Sequence, residues 1–423
     1  MVKNRFFLLF VFFTVVITAK AIPHNDPTKA SEKPKEVDTI AIVDDDPFIE
    51  MLDSLIYMVS YKLHKPFFDE SECNQYAFLD EDIPEYCDSV VELRIHYLND
   101  ISPFDYVYND DVKKYIALYS IKRRKTVSMM LGLARLYFPI FEEILDKYNL
   151  PVELKYLAII ESALNPVAVS RAGAAGLWQF MPATGKMYGL DISRDVDKRR
   201  DPFLATEAAC RHFIDLYNRF GDWTLVLAAY NAGSGSIGRA IRRAPGNDND
   251  YWSIRPFMPR ETQNYVPLFI AASYIMTYHT EYNLFPVNPK FNFFELDTLH
   301  ITSAMSLKYL AEKLCLSYED LQFLNPALKN DIIHGSPDEP WHLILPQSAV
   351  GNFLINQKAI WQSYSMDISQ VPAASSTAYH HVRKGESLGI IAGKHGCKIS
   401  DIKQWNNLRS NLIHPGQKLM INK

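Results

Sequence analysis

Cysteine, basic excess and long apolar runs are what this 423-residue chain has little of. Its five cysteines, Cys73, Cys87, Cys210, Cys315 and Cys397, are scattered and odd in number, and none shows metal-ligand spacing. A structural metal site is excluded on that ground, and neither a metal nor another cofactor is expected. Cys73 and Cys87 are compatible with one disulfide in an oxidising exterior compartment, although their spacing alone does not establish it. Lys and Arg number 44 against 49 Asp and Glu, giving a formal charge of −5. With no cationic surplus, nucleic acid is not an expected partner, and a polyanion would have to be read by shape and hydrogen bonds.

The one strongly apolar stretch is at the start. Lys3 and Arg5 precede a run from Phe6 to Thr18, and Ala19-Lys20-Ala21 follows as a small-residue cleavage site. This is the pattern of a secretory signal peptide over 1–21, so the mature chain is expected to be exported and soluble. The run is short for a membrane span, and no second run of about 18 apolar residues follows. Losing Lys3, Arg5 and Lys20 takes the formal charge from −5 to −8. Residues 22–46, rich in proline and charge, read as a disordered leader. Residues 47–109 are expected to be a helical segment of unknown role.

From 110 to 285 apolar residues recur at helical spacing. Two amphipathic helices are expected over 112–150, with Pro139 and the Tyr148-Asn149 region as breaks. A further helix is expected to open at Pro151 and to end near Asn165, because Pro166 pushes its predecessor out of the helical region. Asp201-Pro202 caps a helix that runs to Gly221. An apolar helix, WTLVLAAY, stops at Asn231-Ala232-Gly233, and another runs from about Thr262. No strand pattern interrupts 110–280, so an all-helical domain is expected.

Beyond Phe285 the chain repeats itself. DLQFLNPALKNDIIHG, from Asp320, aligns with DIKQWNNLRSNLIHPG, from Asp401, when one residue is skipped. The second copy, 379–423, reads as strand, helix, helix, strand. The first spans 296–347, and residues 348–378, with the small-residue stretch VPAASSTA, read as a linker.

Within the helical domain one acid stands out. Glu161 has Leu157 and Leu164 as helical neighbours and lies in the last turn, where the macrodipole disfavours a carboxylate. Both effects favour the protonated form, which makes Glu161 a candidate general acid. The run Ala172-Gly173-Ala174-Ala175-Gly176 follows, and removing side chains there would let a bulky ligand approach the backbone. A tight turn between helices accounts for the same run.

Four stretches then occur in order: Glu161-Ser162, Gly176-Leu177-Trp178-Gln179-Phe180-Met181-Pro182, Ala229-Tyr230-Asn231-Ala232-Gly233 and Glu261-Thr262-Gln263-Asn264-Tyr265-Val266. Together they resemble the motifs of the soluble lytic transglycosylase (SLT) family, and in particular its membrane-bound lytic transglycosylase D type. The resemblance covers about 112–276. It implies a lysozyme-like, mainly α fold that cleaves the β-1,4 bond between N-acetylmuramic acid and N-acetylglucosamine in peptidoglycan. By that likeness Glu161 protonates the glycosidic oxygen and then takes a proton from the muramyl C6 hydroxyl, leaving a 1,6-anhydro end. An internal nucleophile of this kind explains a single carboxylate where most glycosidases use two. The likeness further implies substrate contacts from Gln179, Met181, Tyr230 and Asn231, a structural role or contact with the cleaved end for Ser162, and Tyr265 near Glu161 to steady its protonation.

Residues 379–423 resemble a LysM module, a small α+β (βααβ) domain that binds N-acetylglucosamine-containing glycans. By this likeness Gly385, Glu386, Ser387 and Leu388 form one wall of a sugar groove, and Asn411, Leu412 and Ile413 belong to the other. The 296–347 copy lacks the glycine turn, so it resembles a degenerate module. The combined expectation is a monomeric enzyme acting on glycan strands in the periplasm or cell envelope of a Gram-negative bacterium. A hydrolytic muramidase of goose type and a non-catalytic wall-binding scaffold are the two alternatives.

Overall fold

The computed structural model describes residues 76–246, 250–370, 377–383, 385–406, 408 and 410–422. The expected signal peptide and leader, Cys73 and the first part of the 47–109 segment lie outside them. Among the described residues Cys87, Cys210, Cys315 and Cys397 are free. No described helix is long and apolar enough to cross a membrane.

The helical domain is built around helix α3. Helices α1 (Asp88–Ile101) and α2 (Asp110–Ala117) precede it, and one π-helical turn, Leu118–Lys122, leads into α3 (Arg124–Lys147). The break in the 112–150 region therefore falls at 118–123, and Pro139 lies inside a continuous helix. Proline there leaves the Arg135 carbonyl without its helical donor, at a cost of about 3 kcal/mol. Leu136, Tyr137, Ile140, Phe141, Ile144 and Leu145 are all buried around it. At roughly 1.5–3 kcal/mol for each large side chain, their burial outweighs the lost bond.

The segment before 110 is part of this domain. Val91, Ile95 and Leu98 of α1 are buried, and the Phe104 ring lies 5.1 Å from that of Phe269. Arg94 stacks on Tyr86 at 4.2 Å and donates to the Tyr274 hydroxyl at 3.4 Å. What the sequence left without a role thus packs against a later helix of the core.

Pro151 is the N-cap rather than the first residue of the next helix. Val152–Tyr156 is a 3-10 turn, and regular helix covers only α4 (Leu157–Ser162). It ends four residues before Pro166, with Ala163 and Leu164 both left-handed at φ 49° and 61°. Helices α5 (Pro202–Phe220), α6 (Trp223–Ala232), α7 (Ser234–Arg243) and α8 (Arg260–Thr277) follow. The Asp201 cap and the left-handed Gly221 stop are present, Asp201 accepting from the Phe203 and Leu204 amides. Between 110 and 280 only isolated bridges occur among the described residues, such as Val169 with Ala175.

The two copies of the repeat share a construction. In the first, β1 (Leu296–Ile301) pairs antiparallel with β4 (Trp341–Pro346), and helices α9 (Leu307–Lys313) and α10 (Tyr318–Leu324) lie between. In the second, β5 (Thr377–His381) pairs with β6 (Lys418–Asn422) around α12 (Leu388–His395) and α13 (Ile399–Trp405). Asn325 donates to the Leu321 and Ile344 carbonyls and accepts from the Ile344 amide. Asn406 makes the same three bonds to Ile402 and Met420. Each asparagine ties the end of a helix to the last strand, which is why both copies keep it.

Two features of the first copy depart from expectation. The 348–378 stretch begins as helix α11 (Gln347–Gln370), whose Phe353 and Ile360 are buried in the module core, so this part is no free linker. In addition, β2 (Met305–Ser306) pairs with β3 (Ile332–Ile333). Ser306 and Ser387 are corresponding helix caps. The pairing therefore joins the two segments that match the groove walls of the second copy, and Asp331 adds bonds to the Ser306 hydroxyl and the Lys308 amide. In the first copy these two segments are thus tied to each other by backbone pairing.

Candidate active site

Glu161 sits one residue before the end of α4 and keeps partial solvent access. The hydroxyl of Tyr265, from α8, donates to its Oε1 in a short hydrogen bond. Burial pushes the Glu161 carboxyl up to about 7; the Tyr265 bond pulls it down, and the negative field of Glu261 pushes it up. Burial likewise holds the Tyr265 hydroxyl well above the ordinary phenol range, followed by the charge of Glu161, so it stays a donor. The sequence reading placed Tyr265 beside Glu161 correctly but mistook its effect. A hydroxyl that donates to a carboxylate favours the charged form.

Glu261 is the feature that reading missed. It is exposed and lies one turn before Tyr265 on α8, so both project toward the same side of the helix. Nothing in a linear pattern says that the start of α8 meets the end of α4.

The small-residue run packs against the protein itself. Gly176 has φ +87°, and a Cβ added there would stand 1.8 Å from the Arg199 carbonyl oxygen. Arg199 is buried, pairs with Asp197 at 2.8 and 2.9 Å, and donates to the Gly173 and Phe180 carbonyls at 2.7 and 2.8 Å. Gly176 is thus bare because the Arg199 main chain passes against it, which agrees with the tight-turn account of the run and not with the ligand one. The Arg199 guanidinium fixes the loop that carries Gln179.

The remaining predicted residues divide into those at the surface and those that hold it in shape. Gln179 is left-handed at φ 46° and half-buried, and its amide nitrogen donates to the Gly176 and Ala168 carbonyls at 2.9 and 3.3 Å. The amide oxygen is the group it can offer a ligand. Met181 is 44% exposed, an apolar side chain open to solvent beside that loop. Ser162 is fully buried, its hydroxyl donating to Ala158 and Leu177 carbonyls at 3.0 and 2.9 Å, so it cannot reach a substrate. It fastens the end of α4 to the Gln179 loop. Tyr230 donates to the Trp178 carbonyl at 2.7 Å, and the Asn231 carboxamide oxygen accepts from Thr262 at 2.8 Å. These last two link α6 to the loop and to α8, which aligns the three elements around Glu161. Trp178 itself is core, its indole N–H donating to Thr206 at 2.9 Å.

In the second module Gly385 has φ +89°, and Ser387 caps α12. Glu386 does not face outward as a sugar ligand would; it accepts from the Arg383 amide at 2.8 Å and meets His380 at 2.7 Å. It braces the turn whose exposed members include Ser387's neighbour Ile390 and, across the groove, Leu412 at 69% exposure. Leu388 is buried, and Ile413 is partly buried against the module core, so both are structural; Asn411 is exposed. Among the described residues no group of three or more His, Cys, Asp or Glu is placed to hold a metal.

Three family models match the chain. One described as the transglycosylase SLT domain covers 138–253, one described as the lytic transglycosylase MltD LysM-like domain covers 295–362, and the LysM domain covers 380–422. Membrane-bound lytic murein transglycosylase D of Escherichia coli (strain K12) is 33% identical over 283 residues, 65% of this chain and 61% of the relative. The match thus spans about three-fifths of that relative's length. Peptidoglycan transglycosylase gp16 of Escherichia phage T7 is 34% identical over 105 residues, 24% of this chain and 8% of that protein. The 70 kDa soluble lytic transglycosylase of Escherichia coli superposes with a TM-score of 0.31 at 20% identity, over 56% of this chain and 44% of that one, a fit too loose to bear on the site. The chain therefore carries, in order, a transglycosylase SLT domain, an MltD-type LysM-like domain and a LysM domain.

Proposed function

We propose that this protein is an exported peptidoglycan lytic transglycosylase of the Gram-negative cell envelope. The observation that carries the reading is a half-buried carboxyl, Glu161, raised to about 7 by burial and bonded to a tyrosine that favours its charged form. Such a group can serve in turn as acid and as base at neutral pH. As an acid it gives its proton to the glycosidic oxygen while the bond from that oxygen to the muramyl C1 breaks. As a carboxylate, steadied by Tyr265, it takes the proton of the C6 hydroxyl as that oxygen bonds to C1. No water is consumed, and the muramyl end leaves as a 1,6-anhydro sugar. The Gln179 amide oxygen and Met181 meet the strand at the loop. The second module, through the turn at Gly385 and Ser387 and the opposite wall at Asn411 and Leu412, holds it nearby and adds avidity.

One observation favours the hydrolytic reading as second: Glu261 supplies a further carboxylate within electrostatic reach of Glu161. Mass spectrometry of fragments released from purified peptidoglycan separates the two, with Glu161→Gln run alongside. Anhydro-ended fragments from the natural protein, reduced at least ~1,000-fold in the variant, are expected for loss of the proton donor. Reducing ends would identify a hydrolase, and no release by the natural protein would overturn the enzymatic reading.

A further inference from the structure

The helical domain and the first module enclose a pocket of about 280 Å³, lined by Leu133, Leu164, Pro166, Arg200, Phe323 and Lys329 among others. Its position is set by the bend that ends α4, because Leu164 and Pro166 lie just beyond Glu161. Across from them, the 191–200 turn is bonded to the module: the Asp197 amide to the Ala327 carbonyl at 2.9 Å, and the Lys329 amide to the Asp195 carbonyl at 2.9 Å.

The pocket has donors in want of an acceptor. Arg200 Nε is buried with no hydrogen-bond partner. The exposed ammonium of Lys329 gives one bond, to the Ser193 carbonyl at 3.0 Å, and keeps two protons. The carboxylates of the surrounding turn are already engaged: Asp197 by Arg199, Asp195 by the Asn330 amide, and Asp201 by the Phe203 and Leu204 amides. A buried donor without a partner is costly, so a site presenting a guanidinium and an ammonium beside apolar side chains calls for an anionic acceptor.

We propose that this pocket is a subsite for the peptide stem of the glycan strand, with a stem carboxylate received by Arg200 and Lys329 and the short aliphatic side chains of the stem resting on Val167 and Phe323. The inference rests on the peptidoglycan reading above and makes the first module a wall of the substrate site. Arg200 and Lys329 are specificity-determining residues in this view and take no part in bond cleavage.

The test uses the full chain and three forms of strand: stem-bearing strands, the same strands with stem carboxylates amidated by carbodiimide and excess ammonia, and strands stripped of stems by an amidase. The quantity read is the ratio of kcat/KM for free over amidated stems, for the natural protein, Arg200→Gln and Lys329→Ala. The ratio is expected to fall about tenfold in Arg200→Gln and less in Lys329→Ala, mostly through KM, as suits loss of a charge-assisted bond. A ratio unchanged in both variants overturns the proposal, whatever happens to the absolute rates. Equal discrimination on stripped strands, whose lactyl carboxylate is then free, overturns the stem as the source of the anion. Binding of the same strands to Glu161→Gln is measured in parallel, so the subsite is scored even where no bond is cut. Failure of the natural protein to cut any strand would fault the enzymatic reading alone. Lys329 is exposed, so its variant keeps the test open if Arg200→Gln folds poorly.

Discussion

Glu161 is acted on by two neighbours of opposite effect, and substitution separates them. Glu261→Gln removes a negative field, so the Glu161 carboxyl should ionise at lower pH, whereas Tyr265→Phe removes a bond to the charged form and should move it higher. A general acid must be protonated, so kcat/KM in the natural protein should decline as pH rises through about 7. The decline should begin at lower pH in Glu261→Gln and at higher pH in Tyr265→Phe, on the order of half a unit or more in each case. Titrating kcat/KM from pH 5 to 9 reads both shifts, and shifts of the same sign would refute the electrostatic account. The raised carboxyl of Glu161 was legible in sequence, because apolar neighbours at helical spacing are local facts. The Glu261 field was not, since it depends on bringing together residues a hundred positions apart. For Ser162 the sequence left open a structural role or one at the cleaved end, because a motif names a residue but does not say which way its hydroxyl points. Buried against the Ala158 and Leu177 carbonyls, it is structural.

Among the elements, helix starts and stops set by capping chemistry were read well, as at Asp201 and Gly221. Proline was read less well. Its local cost is visible in sequence at Pro139, but the burial that outweighs it is a property of the assembled core. The loop from Gly173 to Phe180 illustrates the opposite case, in which a small residue expected to admit a ligand is met at Gly176 by the Arg199 main chain. Gly176→Ala should test that assignment. The positive φ and the clash with the Arg199 carbonyl together are expected to cost about 2–4 kcal/mol, seen as a lowered midpoint in urea unfolding. Gly173 also has positive φ, but no atom lies within 4 Å of its added Cβ, so Gly173→Ala should cost only about 1 kcal/mol. Equal losses at the two positions would mean that the close approach to Arg199 is not what fixes the loop.

At the scale of the molecule, the repeat was plain from its sequence, but the different duties of its copies were not. Val196, from the helical domain, is buried in the core of the first module and bridges Leu328. Val196→Ala should therefore lower the stability of both bodies, by about 1–3 kcal/mol, and calorimetry should show the helical domain and first module coming apart as two transitions where the natural protein gives one. A single, unshifted transition would mean that the contact does not couple them. The strand pairing of Met305-Ser306 with Ile332-Ile333 has its own sequel. A copy whose two wall segments are tied to each other has another surface to satisfy, the 191–200 turn to which it is bonded. Its descendants should then drift in step with that turn, with changes at Leu328 or Asn330 inherited alongside changes at Val196 or Asp195, while the other copy diverges under the separate discipline of the cell wall.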